Sequence, residues 1–431
     1  MQATYHYYTV KTLASYAGFD SEAAQLIAYF SNYIDCYIMN KPFVIDRKPP
    51  DFFLKNGLAT ELYTNKWIFS PCATGVNIIN TSSHNYQLHT LMPFHFIMPL
   101  AFPELPENPD RSLYRCVTAN QDHNLLINRL LEKALNKASP ENKPSLMALG
   151  MLLHTYADTY SHCGFSGFHG WENQAYIAQM DRCYPKREKE YFYHTIHKWL
   201  QDKLLGKLSV HREMGLPEKL FYSNLPSIGH GNVYCAPDYC ECKICLLAKT
   251  DKQEKLQPFI ERDSSESFAD CSRNILNMLC QVSGKPALND DEWQLLQKKL
   301  SIAQSLIKQG NHKTNKRKWS MIFPDIEYNF RKNEFIDLKF ERLTYKTKYL
   351  TDELAINNRS LLDMYSEAGD QARAVTLMLA KDVSDLFFTF NELAYEHVYQ
   401  VTGEYASPGK TEQMFNYHEL ALSICPQKKL A

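Results

Sequence analysis

The sequence lacks a long hydrophobic run. Its longest apolar stretch, Leu91–Phe102, contains His95 and two prolines and is too short to cross a bilayer. Residues 1–6 (MQATYH) show no basic segment leading into an apolar run, so no signal peptide is visible. We therefore expect no transmembrane segment and, by default, a cytoplasmic location. Secretion by a route without a signal peptide is the alternative.

The chain also lacks an excess of charge of either sign. Its 47 Lys and Arg residues balance 48 Asp and Glu residues, for a formal net charge of −1. A non-specific nucleic-acid binder usually has a clear positive excess, so the sequence gives no strong nucleic-acid signal. Only 16 glycines and 20 prolines occur in 431 residues, which excludes a collagen-like or linker composition. Hydrophobic residues make up 45%, enough for a sizeable core.

Helical periodicity dominates the pattern of apolar residues. Helices are predicted over Tyr7–Ile38, with a break and restart between Gly18 and Ser21, and over 122–138, 145–162, 191–208 and 369–403. No strand-like alternation is sustained, so we expect an all-α, multi-helix bundle with long loops. Three regions are expected: a metal-binding helical core (1–247), a charged, loop-rich insertion or excursion (248–345), and C-terminal helices packing on the core (346–431).

The motif with the most chemistry is His154-Thr-Tyr-Ala-Asp158-Thr-Tyr-Ser-His162. Four-residue spacing places its three polar side chains along one stripe of an otherwise apolar helix. Buried imidazoles and a carboxylate need partners, and zinc binds both types of ligand. The two histidines are about 12 Å apart along the axis, too far for one ion. The spacing therefore favours Asp158 as a bridge between two metals. The alternative is a core helix whose histidines bond to backbone carbonyls.

Upstream segments complete a resemblance to a known superfamily. An early His6 lies in Tyr-His-Tyr-Tyr, a helix ends at Asp35, and His95 lies in Pro-Phe-His-Phe-Ile. Together with His154-x-x-x-Asp158, their order resembles the zinc-dependent phospholipase C and S1/P1 nuclease superfamily. It resembles more closely a bacterial branch of helical proteins related to it. The matching motifs extend over residues 5–238.

The resemblance implies an all-α bundle of the phospholipase C/P1 nuclease type with a zinc cluster. His6, Asp35, His95, His154 and Asp158 would bind metal, and His162 would begin a second metal position. The superfamily adds a later His-x-x-x-Glu/Asp pair, which this chain lacks. Either His169 with Glu172 or His230 with Asp238 would replace it. We favour His230, because flanking glycines let the backbone approach a metal closely.

Four cysteines fall within eleven residues: Cys235, Cys240, Cys242 and Cys245. Four thiolates suit a structural zinc site, although only one Cys-x-x-Cys unit is present. Free thiols, or a disulfide or redox role, are the alternatives. The expected metal content is therefore one or two zinc ions in the main site, with an additional structural zinc if the cysteines bind one.

The residues and the resemblance together predict a zinc-dependent hydrolase that acts on a phosphoester. Zinc lowers the pKa of bound water and polarises a phosphoryl oxygen. Asp35 and Asp158 are the candidate catalytic residues, with Asp35 as general base. The substrate would be a small-molecule or lipid phosphoester, and the sequence identifies no protein partner. The alternative is a helical metal-binding scaffold or interaction protein with lost or altered catalysis. Oxygen chemistry is disfavoured, because paired Glu-x-x-His motifs are absent.

Overall fold

A computed structural model of the chain describes residues 3–63, 65–77, 80–81, 83–120, 124–173, 175–181, 228–233, 236–240, 243–249, 256–305, 312–347, 363–366 and 373–406. The helix predicted over 191–208 lies outside these residues.

Helices make up most of the described part. The α-helices are α1 (Val10–Tyr16), α2 (Ser21–Cys36), α3 (Asp51–Lys55), α4 (His84–Tyr86), α5 (Met92–His95), α6 (Leu125–Lys137), α7 (Lys143–Ser161), α8 (Ser264–Ser283), α9 (Asp290–Ser305), α10 (His312–Ile322) and α11 (Asp385–Thr402). Two π-helical segments, Thr4–Thr9 and Gln87–Leu91, and several short 3₁₀ turns complete the helical structure.

Strands form two sheets, so the prediction of an all-α fold is wrong. The strands are β1 (Phe43–Ile45), β2 (Ala59–Tyr63), β3 (Lys66–Phe69), β4 (Ala175–Asp181), β5 (Lys243–Lys249), β6 (Leu256–Asp263), β7 (Lys339–Thr347), β8 (Asp363–Ser366) and β9 (Arg373–Lys381). The larger sheet has the order β2-β3-β1-β9-β7, with β8 also pairing with β9. Its β1–β9 pair is parallel and its other pairs are antiparallel. The smaller sheet is antiparallel, in the order β4-β5-β6.

The sequence pattern does not predict these strands, and the reason is physical. All three residues of β1 are buried, so no polar residue alternates with them. The composition of residues 41–50, in which prolines flank this run, instead predicts a loop. The pairing is also distant in sequence, since Val44 and Ile45 lie opposite Leu379 and Ala380.

The segment predicted as one helix over 369–403 is a strand followed by a helix. After β9, Asp382 adopts φ 55°, a left-handed conformation that interrupts regular structure. The side chain of Ser384 then caps α11 by accepting a hydrogen bond from the backbone N–H of Phe387 at 3.2 Å. The chain therefore begins a new helix at Asp385.

Helices α2 and α7 pack closely at the centre of the core and position the candidate site. Helix α2 begins at the cap Asp20, whose carboxylate accepts from the N–H of Ala23, as the predicted restart after Gly18 requires. Helix α7 begins after the cap Asn142 and ends at Ser161, near its predicted bounds. At their contact, a Cβ on Gly150 would lie 2.4 Å from the carbonyl oxygen of Ile27. Only glycine allows this approach of the two backbones.

Aromatic side chains fill the space between α2 and its neighbours. Phe30, Tyr33 and Tyr37 of the α2 segment all contact the ring of Phe390 in α11. Helix α8 contributes Phe268, Cys271, Ile275 and Leu279 to the same core. No helix among the described residues combines the length and hydropathy that a membrane span requires.

We predict that Gly150→Ala destabilises the fold by about 1–3 kcal/mol, because the added methyl group would overlap the backbone of α2. On an exposed helix the same change would stabilise by about 1 kcal/mol. Urea unfolding of the metal-free protein measures the difference. Gly231→Ala is the control, since a Cβ there meets no atom within 4 Å. Equal stability of the wild type and Gly150→Ala would contradict the close packing of α2 and α7.

Candidate metal centre

Five predicted ligands from four separate segments meet in one place, which we call the inner cluster. It consists of His6, Asp35, His95, His154 and Asp158. His6 lies on the first π-helical segment, Asp35 near the end of α2, and His95 at the end of α5, while His154 and Asp158 share one face of α7. Their candidate ligand atoms form two overlapping groups, each within 4.8 Å, that share His154. All except Asp35 are buried.

Two histidines of this cluster each use one ring nitrogen to bond a backbone carbonyl. His154 Nδ1 lies 2.7 Å from the carbonyl oxygen of Ser31, and His95 Nε2 lies 2.8 Å from that of Thr74. A carbonyl only accepts hydrogen bonds, so each of these nitrogens must carry the proton. In the neutral rings, the other nitrogen of each histidine is then an acceptor.

Those remaining nitrogens point at further acceptors. His154 Nε2 and His95 Nδ1 are 3.3 Å apart, and each lies 3.2 Å from Asp158 Oδ2. Each also lies 3.8 Å from Asp35 Oδ1. Lone pairs crowded at this spacing repel one another unless a cation or a proton lies among them. Ligands bound tetrahedrally to zinc at about 2.1 Å lie about 3.4 Å apart, which these separations match.

His6 adds a buried side chain without hydrogen bonds. Its ring stacks on that of His154, with centroids 3.9 Å apart, and its Nε2 lies 3.2 Å from Asp158 Oδ1. Nε2 thus has an ion-pair contact, but within the described residues neither ring nitrogen of His6 forms a hydrogen bond. A buried polar group without a partner is costly, and a metal ion would satisfy it. The donor set of the inner cluster therefore fits a bound metal.

The charges and the burial of the inner-cluster side chains favour a bound cation. Burial lowers the pKa of His6 to about 4, with a further contribution from His154, so the ring is neutral at neutral pH. Burial alone would raise the pKa of Asp158, but His162 and His154 hold it well below its ordinary value. Burial also acts to lower the pKa of His95, but Asp158 and Asp35 outweigh it, and the net shift is upward. The ionised carboxylate of Asp158 thus favours a positive charge beside it.

Asp35 is the accessible member of the inner cluster. Its side chain is 35% exposed, against 0–3% for the three histidines and Asp158. It lies farther from the histidine nitrogens than Asp158 does, at 3.8 Å rather than 3.2 Å. Asp35 therefore forms the solvent-facing side of the cluster.

A second set of ligands, which we call the outer cluster, consists of His162, His230 and Asp238. His162 Nδ1 lies 2.6 Å from the carbonyl oxygen of His95, so this nitrogen carries the proton and Nε2 is an acceptor. That Nε2 is 3.2 Å from Asp238 Oδ1, and His230 Nε2 is 3.6 Å from Asp238 Oδ2. Again a protonated nitrogen faces a carbonyl and an acceptor nitrogen faces a carboxylate.

The contacts of Asp158 differ in one respect from those that the helical spacing predicts. Asp158 Oδ2 faces His95 and His154, and its Oδ1 faces His6. His162 turns its Nδ1 toward Asp158 at 3.6 Å and its Nε2 toward Asp238. The two oxygens of Asp158 are thus divided between His6 and the His95–His154 pair, rather than between His154 and His162.

Of the two alternatives for the later pair, His230 with Asp238 lies beside His162. Gly229, with φ 51°, lets the chain pass over the ring of Phe96, where a Cβ would lie 2.4 Å from the ring. That ring also stacks on His162 at 4.6 Å. In contrast, Glu172 is buried in an ion pair with Arg111 at 2.7 Å, which occupies its carboxylate.

The cysteine cluster is only partly described. Cys235 and Cys242 lie outside the described residues, whereas Cys240 and Cys245 are half-buried and form no disulfide with another described cysteine. Neither belongs to a group of candidate ligands in the part of the chain that the structure describes. A structural zinc at this cluster stays a prediction.

Sequence reasoning missed the groups that orient the ligands. The carbonyls of Ser31, Thr74 and His95 select the histidine nitrogens that face the clusters. Backbone groups leave no signal in the residue type, so no motif could have revealed them. Asp238 was named only as an alternative, because it lies eight residues after His230 instead of at helical spacing.

One comparison with known proteins identifies a relationship. The model of a family of unknown function (DUF6765) matches residues 1–405. No curated protein and no solved structure matches the chain. The likeness to the phospholipase C and P1 nuclease superfamily therefore stays a resemblance of motifs. Since the match covers far more than half of the 431 residues, the chain belongs to this family of unknown function (DUF6765).

Proposed function

We propose that this protein is a zinc-dependent hydrolase that cleaves a phosphoester. The observation that carries the proposal is the inner cluster, in which unprotonated nitrogens and carboxylate oxygens face one another at 3.2–3.8 Å in a buried site. Such an arrangement is unfavourable without a cation. Histidine and carboxylate ligands without thiolates suit zinc, and the expected content is one or two ions, one for each cluster.

The proposed chemistry needs three contributions from the chain. A bound metal would supply an activated water and polarise a phosphoryl oxygen. His95 and His154 would bind the metal with their rings in fixed orientations, because the carbonyls of Thr74 and Ser31 accept a hydrogen bond from each ring. Asp35, the accessible carboxylate, accepts the proton of the attacking water as general base. Asp158 stays ionised and neutralises the positive charge.

The choice of a phosphoester depends on the motif resemblance stated above. Two metal positions side by side would suit an in-line displacement at phosphorus, where one ion activates the nucleophile and the other stabilises the leaving oxygen. The two clusters are adjacent, since the carbonyl of His95 accepts the Nδ1–H of His162. Small-molecule and lipid phosphoesters both remain within this proposal.

A structural metal cluster without catalysis is the second candidate, and burial favours it. His6 and His154 are fully buried, and only Asp35 and His230 have substantial exposure, at 35% and 18%. A metal that water or substrate fails to reach would hold the fold together and do no chemistry. The many aromatic residues give this candidate little further support, because the largest of them lie in the core of the described part.

We predict that Asp158→Asn loses more zinc than His230→Ala. Asp158 contacts His6, His95 and His154 through both oxygens, whereas His230 belongs only to the outer cluster. Elemental analysis after purification without chelator measures zinc per chain. His89→Gln is the control, since this buried histidine pairs with Glu404 outside both clusters. Wild-type protein with essentially no bound transition metal would refute the proposal, and a greater loss in His230→Ala would refute the assignment of the clusters.

Zinc affinity should fall as the pH decreases through the pKa of His95, which is raised above its ordinary value, because a proton on this ring then competes with zinc. Each displaced proton weakens apparent affinity by about tenfold per pH unit. His6 contributes only near its pKa of about 4. Chelator competition at about pH 8 and about pH 6 measures the slope, and an affinity independent of pH would contradict the assigned protonation states.

Asp35→Asn should lower kcat by about 10²–10⁴-fold while most of the zinc stays bound, because an amide does not accept the proton of the attacking water. Release of nitrophenol from bis(p-nitrophenyl) phosphate and p-nitrophenyl phosphate measures turnover. Asp325→Asn, at an exposed carboxylate, is the control. A zinc-loaded wild type that hydrolyses neither compound would favour the structural candidate.

A further inference from the structure

Arg262 connects the end of α7, which His162 follows, to the 3₁₀ turn that carries Asp238. It lies near the end of β6, opposite Ile244 of β5, and its guanidinium turns toward the end of α7. Its Nη1 donates to the carbonyl oxygen of Tyr160. Its Nη2 donates to the carbonyl of Ser161 at 3.2 Å and to that of Pro237 at 2.7 Å.

The first two acceptors are carbonyls of the last turn of α7. The last turn of an α-helix leaves carbonyl oxygens without intrahelical partners, and a cation there also interacts favourably with the helix dipole. Arg262 satisfies the carbonyls of Tyr160 and Ser161 at the end of α7. This part of the contact by itself would be ordinary helix capping.

The third acceptor gives the contact a role at the site. Ser161 immediately precedes His162, and Pro237 immediately precedes Asp238. The single nitrogen Nη2 therefore bonds the two peptide groups from which these ligands extend. His162 Nε2 and Asp238 Oδ1 lie 3.2 Å apart as a result of this and the surrounding contacts. A planar guanidinium holds two acceptors at a fixed separation, which a lysine does not.

The inner cluster has no such dependence. Its ligands lie on α2, α5, α7 and the first π-helical segment, and the carbonyls of Ser31 and Thr74 orient His154 and His95. Among the described residues, the hydrogen bonds of Arg262 go to Tyr160, Ser161 and Pro237, none of which is an inner-cluster residue. A substitution of Arg262 should therefore weaken metal binding at the outer cluster and leave metal binding at the inner cluster unchanged.

We propose that Arg262 is a positioning residue for a metal bound by His162, His230 and Asp238, and that it sets the affinity of this cluster without touching the metal. The inference rests on the proposed function only in that both clusters bind zinc. Loss of an orienting contact around a metal site typically weakens metal binding by about 10–100-fold. Arg262→Gln should weaken the second zinc equivalent by this amount and leave the first unchanged.

The test is a zinc titration of the full-length, chelator-treated protein, with a chromophoric chelator as competitor. Arg262→Gln and Arg262→Lys are compared with Asp238→Asn, which removes an outer ligand directly. Arg273→Gln is the matched control, because this arginine pairs with Asp290 at the surface. We expect Arg262→Gln to resemble Asp238→Asn. Arg262→Lys, which also serves if the glutamine variant fails to fold, should fall between the glutamine variant and the wild type.

Three outcomes would overturn the inference. If Arg262→Gln binds both zinc equivalents with wild-type affinity, the hydrogen bonds of Arg262 are not needed for metal binding at the outer cluster. Equal weakening of both equivalents in Arg262→Gln and Arg262→Lys would indicate general destabilisation rather than positioning. A wild type that binds one zinc, with Asp238→Asn unchanged, would remove the outer site while leaving the inner site and the proposed hydrolase intact. A wild type that binds none would instead refute the proposed function itself.

Discussion

The structure depends on a concentration of hydrogen-bond acceptors around Asp158. Three histidines, His95, His154 and His162, each use their N–H on a backbone carbonyl, so the nitrogens facing the carboxylates have no proton of their own in the neutral state. Because these hydrogen bonds leave unprotonated nitrogens beside carboxylates, this part of the core favours a cation. The same hydrogen bonds also determine which segments must meet, because the carbonyls of Ser31, Thr74 and His95 have to lie where the rings can reach them. The orientation of the proposed metal ligands therefore depends directly on the geometry of the backbone.

The packing of α2 against α7 meets that constraint. Gly150 lets the helices approach until its Cα lies against the backbone of Ile27, and one turn later the carbonyl of Ser31 reaches the ring of His154. A bulkier residue at this contact would separate the helices and lengthen that hydrogen bond. The close approach also explains why apolar periodicity alone indicated the helices but not the role of the glycine, which appears in the sequence only as a weak helix former.

Local patterns predicted the parts of the molecule that local interactions determine. The stripe of His154, Asp158 and His162 and the bounds of α7 follow from helical periodicity, and the break before α2 follows from the cap Asp20. The sheets were not predicted, because β1 pairs with β9 across more than three hundred residues and its three-residue run lies among prolines that indicate a loop. The same limit applies to the site. Helical spacing predicts the stripe on α7, whereas Asp35 and His95 are predicted only through the resemblance, and Asp238, on a 3₁₀ turn, is predicted only as an alternative.

The two clusters differ in how their ligands are supported, and this difference bears on what each does. Most inner ligands extend from helices in the core, where close packing restrains every side chain. The outer ligands follow the end of α7 or lie on loops, and hydrogen bonds from Arg262 and from the N–H of Gly229 to the carbonyl of Ser166 restrain them. A helix-borne site has a fixed geometry and binds tightly. A loop-borne site depends on a few polar contacts, and a change in any one of them alters its affinity. For the proposed metal centre, we therefore expect the inner cluster to keep its ion and the outer cluster to be the one whose occupancy the surrounding loops adjust.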